Sequence, residues 1–204
     1  MPRRNKAWLQ ARSKDTYTRQ ARASEYRSRA AYKLIEIDQH DRLFRPGQTI
    51  VDLGAAPGSW AQYASARVGP RGRVIAVDLQ EIRPIRSVHA IQGDFSDMAV
   101  FRHCLEALGG EKADLVISDM SPHISGIRVT DQARSMYLAE LVCDFACQVL
   151  KPGGDLLVKL FQGQGTDEYR RELVERFQRV MVRKPRASRD TSREFYVLAR
   201  GYKV

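Results

Sequence analysis

The run VDLGAAPGSW, from Val51 to Trp60, constrains this chain more than any other segment of its length. Ile50, Val51 and Leu53 read as a short apolar strand that breaks at Gly54 and re-enters regular structure as a helix after Gly58. Gly54 lets the backbone turn sharply, and Gly58 removes a side chain where a ligand could approach the main chain. The following helix would aim unpaired N–H groups at the loop, which favours a polar or anionic ligand there. In open α/β proteins, nucleotide-like ligands sit at such a strand–loop–helix on the carboxyl edge of a parallel sheet. The spacing is Gly-x-x-x-Gly, not the Gly-x-Gly-x-x-Gly of dinucleotide loops, and so points away from NAD.

Strand and helix signals alternate on either side of that loop. A helix is expected from Ser24 or Glu25 to about Asp41, where Ala31, Leu34, Ile35 and Asp38 follow helical spacing. Pro46-Gly47 reads as a turn. Strands follow at 49–53, 73–78, 88–91, 114–118 and 155–161, separated by helices at 58–67, 96–108 and 130–149. A helix at 166–178 and strands near 179–184 and 194–200 close the chain. Repeated βα alternation with apolar strands predicts a parallel sheet covered on both faces, with the last two strands as an antiparallel hairpin at one edge. At 204 residues the chain fits one domain that buries roughly 70% of its unfolded surface. The expected division is a basic arm at 1–24 and a single domain over 25–204.

The net charge of +10 is unevenly placed. Residues 1–29 carry nine Lys and Arg against Asp15 and Glu25, and residues 176–193 carry seven against Asp190. The span 30–175 is mildly acidic, with 16 basic and 20 acidic residues. A near-neutral core flanked by two basic segments is the electrostatic footprint of a nucleic-acid binder. Arg3, Arg4, Lys6, Arg27 and Arg29 in the first segment, and Arg183, Lys184, Arg186 and Arg189 in the second, are the expected phosphate contacts. No apolar run reaches the ~18 residues that would span a bilayer. Cys104, Cys143 and Cys147 are too few for a disulfide framework and lack zinc-type pairing with histidine, which implies a reducing cytoplasm and no metal. Nothing in the sequence requires more than a monomer.

Three strands end in aspartate at the ligand-binding edge: Asp78 after VIAV, Asp94 in QGDF and Asp119 in SDMSP. Asp78 is placed to accept hydrogen bonds from ribose hydroxyls, as in dinucleotide folds. Asp94 is placed to meet an adenine amino group. Aspartate also favours turns and helix caps, but three in register with a glycine loop read as a ligand site. Trp60, just inside the helix, is expected either along the cofactor or against the core. The Asp-x-Gly-x-x-x-Gly pattern resembles the S-adenosylmethionine loop of class I methyltransferases, which assigns Gly54, Gly58, Trp60, Asp78, Asp94 and Asp119 to that cofactor.

The segments RSRAAYKL (Arg27–Leu34), VDLGAAPGSW, SDMSPHISG (Ser118–Gly126), DLLVKLFQG (Asp155–Gly163) and SREFYVLA (Ser192–Ala199) resemble the FtsJ/RrmJ family of ribose 2′-O-methyltransferases. Trp8–Gln10 and the Asp15-x-Tyr17 after it are similar to the N-terminal arm of the bacterial large-subunit rRNA members. The likeness covers almost the whole chain, in order. It implies the seven-stranded Rossmann-like methyltransferase fold, mostly parallel with one antiparallel edge strand and helices on both faces. It also implies a Lys-Asp-Lys-Glu tetrad, falling here on Lys33, Asp119, Lys159 and Glu194. Ser59, Ser121 and His123 depart from the usual Gly, Ala and Asn of the family, which touches loop geometry and leaves the tetrad intact.

Those residue types suit the implied chemistry. A sulfonium methyl is already a strong electrophile, so the protein must mainly align a ribose hydroxyl for in-line attack. Lys159, set in the otherwise apolar strand Leu156–Phe161, is the candidate base. Asp119 and Glu194 would orient the hydroxyl, and Lys33 would position the ribose or its phosphate. A 2′-hydroxyl exists only in RNA, so the expected substrate is RNA, and the resemblance favours a uridine of 23S rRNA within the large ribosomal subunit. The alternatives are a tRNA or mitochondrial rRNA ribose methyltransferase, or a non-catalytic RNA-binding ribosome-assembly factor that keeps the fold.

Overall fold

The computed structural model describes residues 17–21, 23–188 and 192–204. A seven-stranded sheet in the order β3-β2-β1-β4-β5-β7-β6 forms its middle layer. The strands are β1 (Thr49–Leu53), β2 (Arg73–Asp78), β3 (Val88–Gln92), β4 (Ala113–Ser118), β5 (Leu150–Phe161), β6 (Phe177–Arg183) and β7 (Glu194–Tyr202). The helices are α1 (Ala31–Asp41), α2 (Ser59–Val68), α3 (Met98–Leu108), α4 (Arg128–Val149) and α5 (Thr166–Arg176). β1 to β5 run parallel, whereas β7 lies antiparallel between β5 and β6. The expected hairpin thus closes one end of the sheet, with β6 outermost.

Every side chain of β1 is buried, as a central strand with covered faces requires. One core cluster joins Val51, Leu53, Val116 and Val158 to α3, α4 and α5. The other joins Ile50, Ile117, Leu157, Tyr196 and Leu198 to Leu34 and Ile37 of α1 and to Trp60 and Ala64 of α2. Alternate residues of each strand feed opposite layers, so a residue's parity decides which half of the site it can reach. Among the described residues no helix is long and apolar enough to cross a membrane.

Two expectations need correcting. The first helix starts at Ala31, not near Ser24, because Glu25 has a left-handed φ of 58° and residues 24–30 form turns. Strand β5 begins at Leu150, upstream of the expected 155, and absorbs Pro152-Gly153-Gly154 as an irregularity against β4. Of the expected arm, residues 1–16 and 22 lie outside the described residues. Residues 17–21 form a short helical stretch, with Ala21 buried and the Tyr17 hydroxyl donating to Glu36 Oε1 at 3.1 Å.

Candidate active site

A cavity of about 460 Å³ opens at the carboxyl ends of β1 to β4, lined by residues that include Gly54, Asp78, Asp94, Phe95, Asp119 and Met120. This is the edge where the sequence placed its ligand. Gly54 has φ +72°, and a Cβ there would lie 1.9 Å from Met120 Cγ, so the position excludes a side chain on both backbone and steric grounds. Asp78 does two jobs. Its Oδ2 accepts the Ala56 N–H at 2.9 Å and its Oδ1 the Gln80 N–H at 2.8 Å, which ties the glycine loop to the end of β2. An ionised carboxylate has about four acceptor positions, so capacity remains for a ligand hydroxyl. Asp94 holds its own turn through Oδ1, which accepts from the N–H and hydroxyl of Ser96.

Gly58 and Trp60 do not line this cavity. The left-handed Gly58 caps α2, and a Cβ on it would meet Ile85 Cδ1 at 2.6 Å and the Arg27 guanidinium at 3.1 Å. Its missing side chain admits protein, not ligand. Trp60 is buried in the α1/α2 layer, where Nε1 donates to the Ala30 carbonyl at 2.8 Å and the indole packs 5.7 Å from the Tyr196 ring. Of the two roles considered for Trp60, the core role is the one observed. The N-terminus of α2 also answers to an internal partner, because the buried Asp52 carboxylate accepts the Ala61 N–H. Burial, with Asp119 and Asp78 nearby, pushes Asp52 well above the usual carboxylate range. Asp52 Oδ2 finds no hydrogen-bond partner among the described residues.

The four charges of the expected tetrad converge. They come from α1, the end of β4, β5 and β7. Lys33 Nζ lies 2.7 Å from Glu194 Oε1 and 3.9 Å from Asp119 Oδ1. Lys159 Nζ donates to the Asp119 carbonyl at 2.7 Å and to Asp119 Oδ1 at 3.1 Å. The register explains the meeting: Lys159 pairs with Tyr196 across β5 and β7, and Glu194 shares the face of Tyr196 two residues away. Lys159 and Glu194 are both buried. Burial raises the Glu194 carboxyl, but the hydrogen bond and charge of Lys33, with Lys159 nearby, outweigh it and hold the group below its ordinary value.

Sequence reasoning missed Tyr196. Its hydroxyl donates to Asp119 Oδ1 at 2.5 Å, and its ring lies under Lys33 Nζ, 5.9 Å from the centroid. The alternation Glu194-x-Tyr196 was the available signal, since one face of a strand must carry both. Phe95, Met120 and Leu138, which give the cavity its apolar walls, also escaped notice.

Of the five expected phosphate contacts among the described residues, four spend their donors on partners within the protein. Arg27 donates to the carbonyls of Pro57, Arg83 and Pro84, locking the chain before α1 onto the loop after β2. Arg183 makes a two-pronged pair with Asp41, 2.7 Å on each arm, and holds that carboxyl below its usual range against the opposing effect of burial. Lys184 Nζ donates to the carbonyls of Ser192 and Glu194, and Arg29 donates to that of Ala187. Arg29, Arg183 and Lys184 thus brace the segment around β6 and β7, and Arg27 the loop after β2, so the donors of these four are engaged within the protein. Arg186 commits its backbone N–H to Glu36 and is exposed. Arg3, Arg4, Lys6 and Arg189 lie outside the described residues. The described residues hold no group of His, Cys, Asp and Glu that could bind a metal.

A sheet of this order, with a glycine loop after its first strand and acids closing the next ones, defines a doubly wound α/β protein with a nucleotide-type cleft. The chain belongs to the FtsJ-like methyltransferases, whose family pattern it matches over residues 26–202. It is 55% identical over 198 residues to "Ribosomal RNA large subunit methyltransferase E" of Alkalilimnicola ehrlichii, covering 97% of this chain and 95% of that protein. To the protein of the same name from Pseudomonas aeruginosa it is 54% identical over 196 residues, covering 96% and 95%. A crystal structure described as a ribosomal RNA methyltransferase from Plasmodium falciparum matches with a TM-score of 0.80 and 31% identity, over 87% of this chain and 98% of that one.

Proposed function

We propose that the protein transfers a methyl group from S-adenosylmethionine to the ribose 2′-hydroxyl of a uridine in 23S rRNA of the large ribosomal subunit, acting in the cytoplasm. The observation that carries this reading is the Lys33–Glu194 and Lys159–Asp119 cluster, built on the buried Lys159 and Glu194, which abuts the cavity through Asp119. The names of the relatives point to the same class of RNA. The cavity fits the cofactor: its volume lies in the range of small-molecule sites, Asp78 suits a ribose diol, Asp94 an amino group, and Phe95, Met120 and Leu138 the apolar remainder. When bound, the cofactor supplies an electrophilic methyl on a positively charged sulfur.

The remaining work falls to the chain. Lys159 Nζ has committed two donor positions to Asp119 and keeps its third position for the substrate hydroxyl: as a neutral amine its lone pair there takes the proton during attack, and as an ammonium its third N–H polarises the oxygen. Asp119 fixes Lys159, and Tyr196 fixes Asp119. Glu194 and Lys33 neutralise each other and hold the ribose and its neighbouring phosphate. The basic arm at 1–24, ahead of the methyltransferase domain at 25–204, adds phosphate attraction that positions RNA without reading its sequence.

Labelled S-adenosylmethionine, incubated with the protein and with both large ribosomal subunits and tRNA from cells lacking it, tests the reading. The label is expected in 23S rRNA. Label in tRNA alone would move the substrate to the anticodon-loop class, and no label in any RNA would reduce the protein to an assembly factor.

A further inference from the structure

The lip of the cavity carries apolar side chains that nothing in the described chain covers. Residues 121–127 connect β4 to α4, and all but Pro122 are exposed. Ile124, Ile127 and Val129 are 59%, 64% and 75% accessible, and Tyr137, two turns into α4, is 63% accessible. Arg128 and Arg134 are interleaved with them and also exposed. β-Branched side chains left in water at this density are a cost without a partner, and a cluster of them marks an interaction site. The segment is continuous with the reaction cleft, since Ser121, Pro122, His123 and Leu138 line the cavity.

The loop is held in shape before any partner arrives. The Asp131 carboxylate accepts the Ser125 N–H and hydroxyl, each at 2.7 Å, and the Gly126 N–H at 3.0 Å, while Arg134 reaches the His123 carbonyl at 3.5 Å. Those hydrogen bonds hold the Asp131 carboxyl below its ordinary value. A preformed surface loses less ordering entropy on binding than a floppy one. Aliphatic and aromatic faces interleaved with guanidinium groups match the chemistry of single-stranded RNA, whose bases offer apolar faces and whose backbone offers phosphates at every step. A duplex hides those base faces within its stack.

We propose that this lip is a base-stacking platform: Ile124, Ile127, Val129 and Tyr137 lie against unstacked bases flanking the target nucleotide, and Arg128 and Arg134 meet the flanking phosphates. The inference rests on the RNA methyltransferase reading above and adds how the target ribose is presented. A nucleotide whose neighbours are splayed on the lip can turn its 2′-hydroxyl toward Lys159 without the rest of the RNA entering the cleft.

The test combines a triple variant (Ile124→Ser, Ile127→Ser and Val129→Ser) with Tyr137→Ala as an independent change. All four positions are exposed, and unaltered melting temperatures confirm intact folds. On the RNA form that the wild type methylates, each variant is expected to raise KM for RNA about tenfold while kcat stays within about twofold. Binding of S-adenosylhomocysteine should be unchanged, and so should the slope of log affinity against log salt, because no phosphate contact is lost. Arg128→Gln with Arg134→Gln should instead flatten that slope. RNA substituted with 4-thiouridine should photo-crosslink to the peptide spanning 121–137. An unchanged KM in both apolar variants, a parallel loss of S-adenosylhomocysteine binding, or absence of the 121–137 peptide from the crosslinks would overturn the platform. If the wild type methylates no RNA, the parent reading has failed instead, and this control separates the two failures.

Discussion

The two halves of the cleft sit on the same sheet edge yet are built by opposite rules. The half proposed for the cofactor is wet and local: Asp78 ends β2 and Asp94 follows β3, each holds its own turn by backbone N–H groups, and both face an open cavity. The half proposed for catalysis is largely buried and assembled from afar. Lys33, Asp119, Lys159 and Glu194 come from four separate elements, and each charge is answered by another within about one hydrogen-bond length. Charge is tolerated in the first half by solvent and in the second only by pairing. Loss of a side chain should therefore weaken binding on one side and abolish turnover on the other.

The largest effect separates the halves outright. Lys159→Ala should lower the rate of methyl transfer by about 10²–10⁴-fold, the usual worth of a positioned proton acceptor, while calorimetry finds cofactor affinity within about twofold of wild type. Asp78→Ala should do the reverse, raising the cofactor dissociation constant about tenfold, the value of one to two hydrogen bonds to a charged group, with a smaller change in kcat. A variant that moved both parameters equally would erase the distinction.

The pairing within the largely buried half can be read from acid stability. The carboxyl of Glu194 lies below its ordinary 4.5 in the folded protein, so its contribution to stability is complete above that pH. It is lost as pH falls through the lower, folded value. Denaturant midpoints followed from pH 6 to pH 3 should decline in the wild type, and Glu194→Gln should make the decline shallower. An identical profile for the two proteins would break the ion-pair account. The smallest effect concerns Trp60: Trp60→Phe should cost about 1–3 kcal/mol in unfolding free energy by orphaning the Ala30 carbonyl, with cofactor affinity unmoved.

The same contrast governs what could be read before the fold was seen. β1, β2 and the acids after β2, β3 and β4 were legible because each is a local pattern: an apolar run, a glycine break and a polar residue at a strand end. Residue parity was equally available, yet Tyr196 went unread, because its importance depends on β7 pairing with β5 in a register that no local pattern states. The tetrad was found through family likeness, since nothing local to Lys33 or Glu194 says that they touch. The side-chain positions of Trp60 and Gly58 were unreadable for a related reason. Position beside a ligand loop does not reveal which layer a side chain enters, and both enter the α1/α2 side. The arginines mislead in another way. Charge counts report composition, whereas Arg27 and Arg183 spend their donors on carbonyls and on Asp41.

The most direct measurement is the chemical position of the transferred methyl. RNA labelled by the wild-type protein is digested with alkali, which cleaves next to a free 2′-hydroxyl and spares a methylated one. The account predicts that the label survives in a dinucleotide whose first residue is uridine, and that Lys159→Ala lowers its rate of appearance by about 10²–10⁴-fold. Label released in mononucleotides, with the methyl on a base, would contradict it.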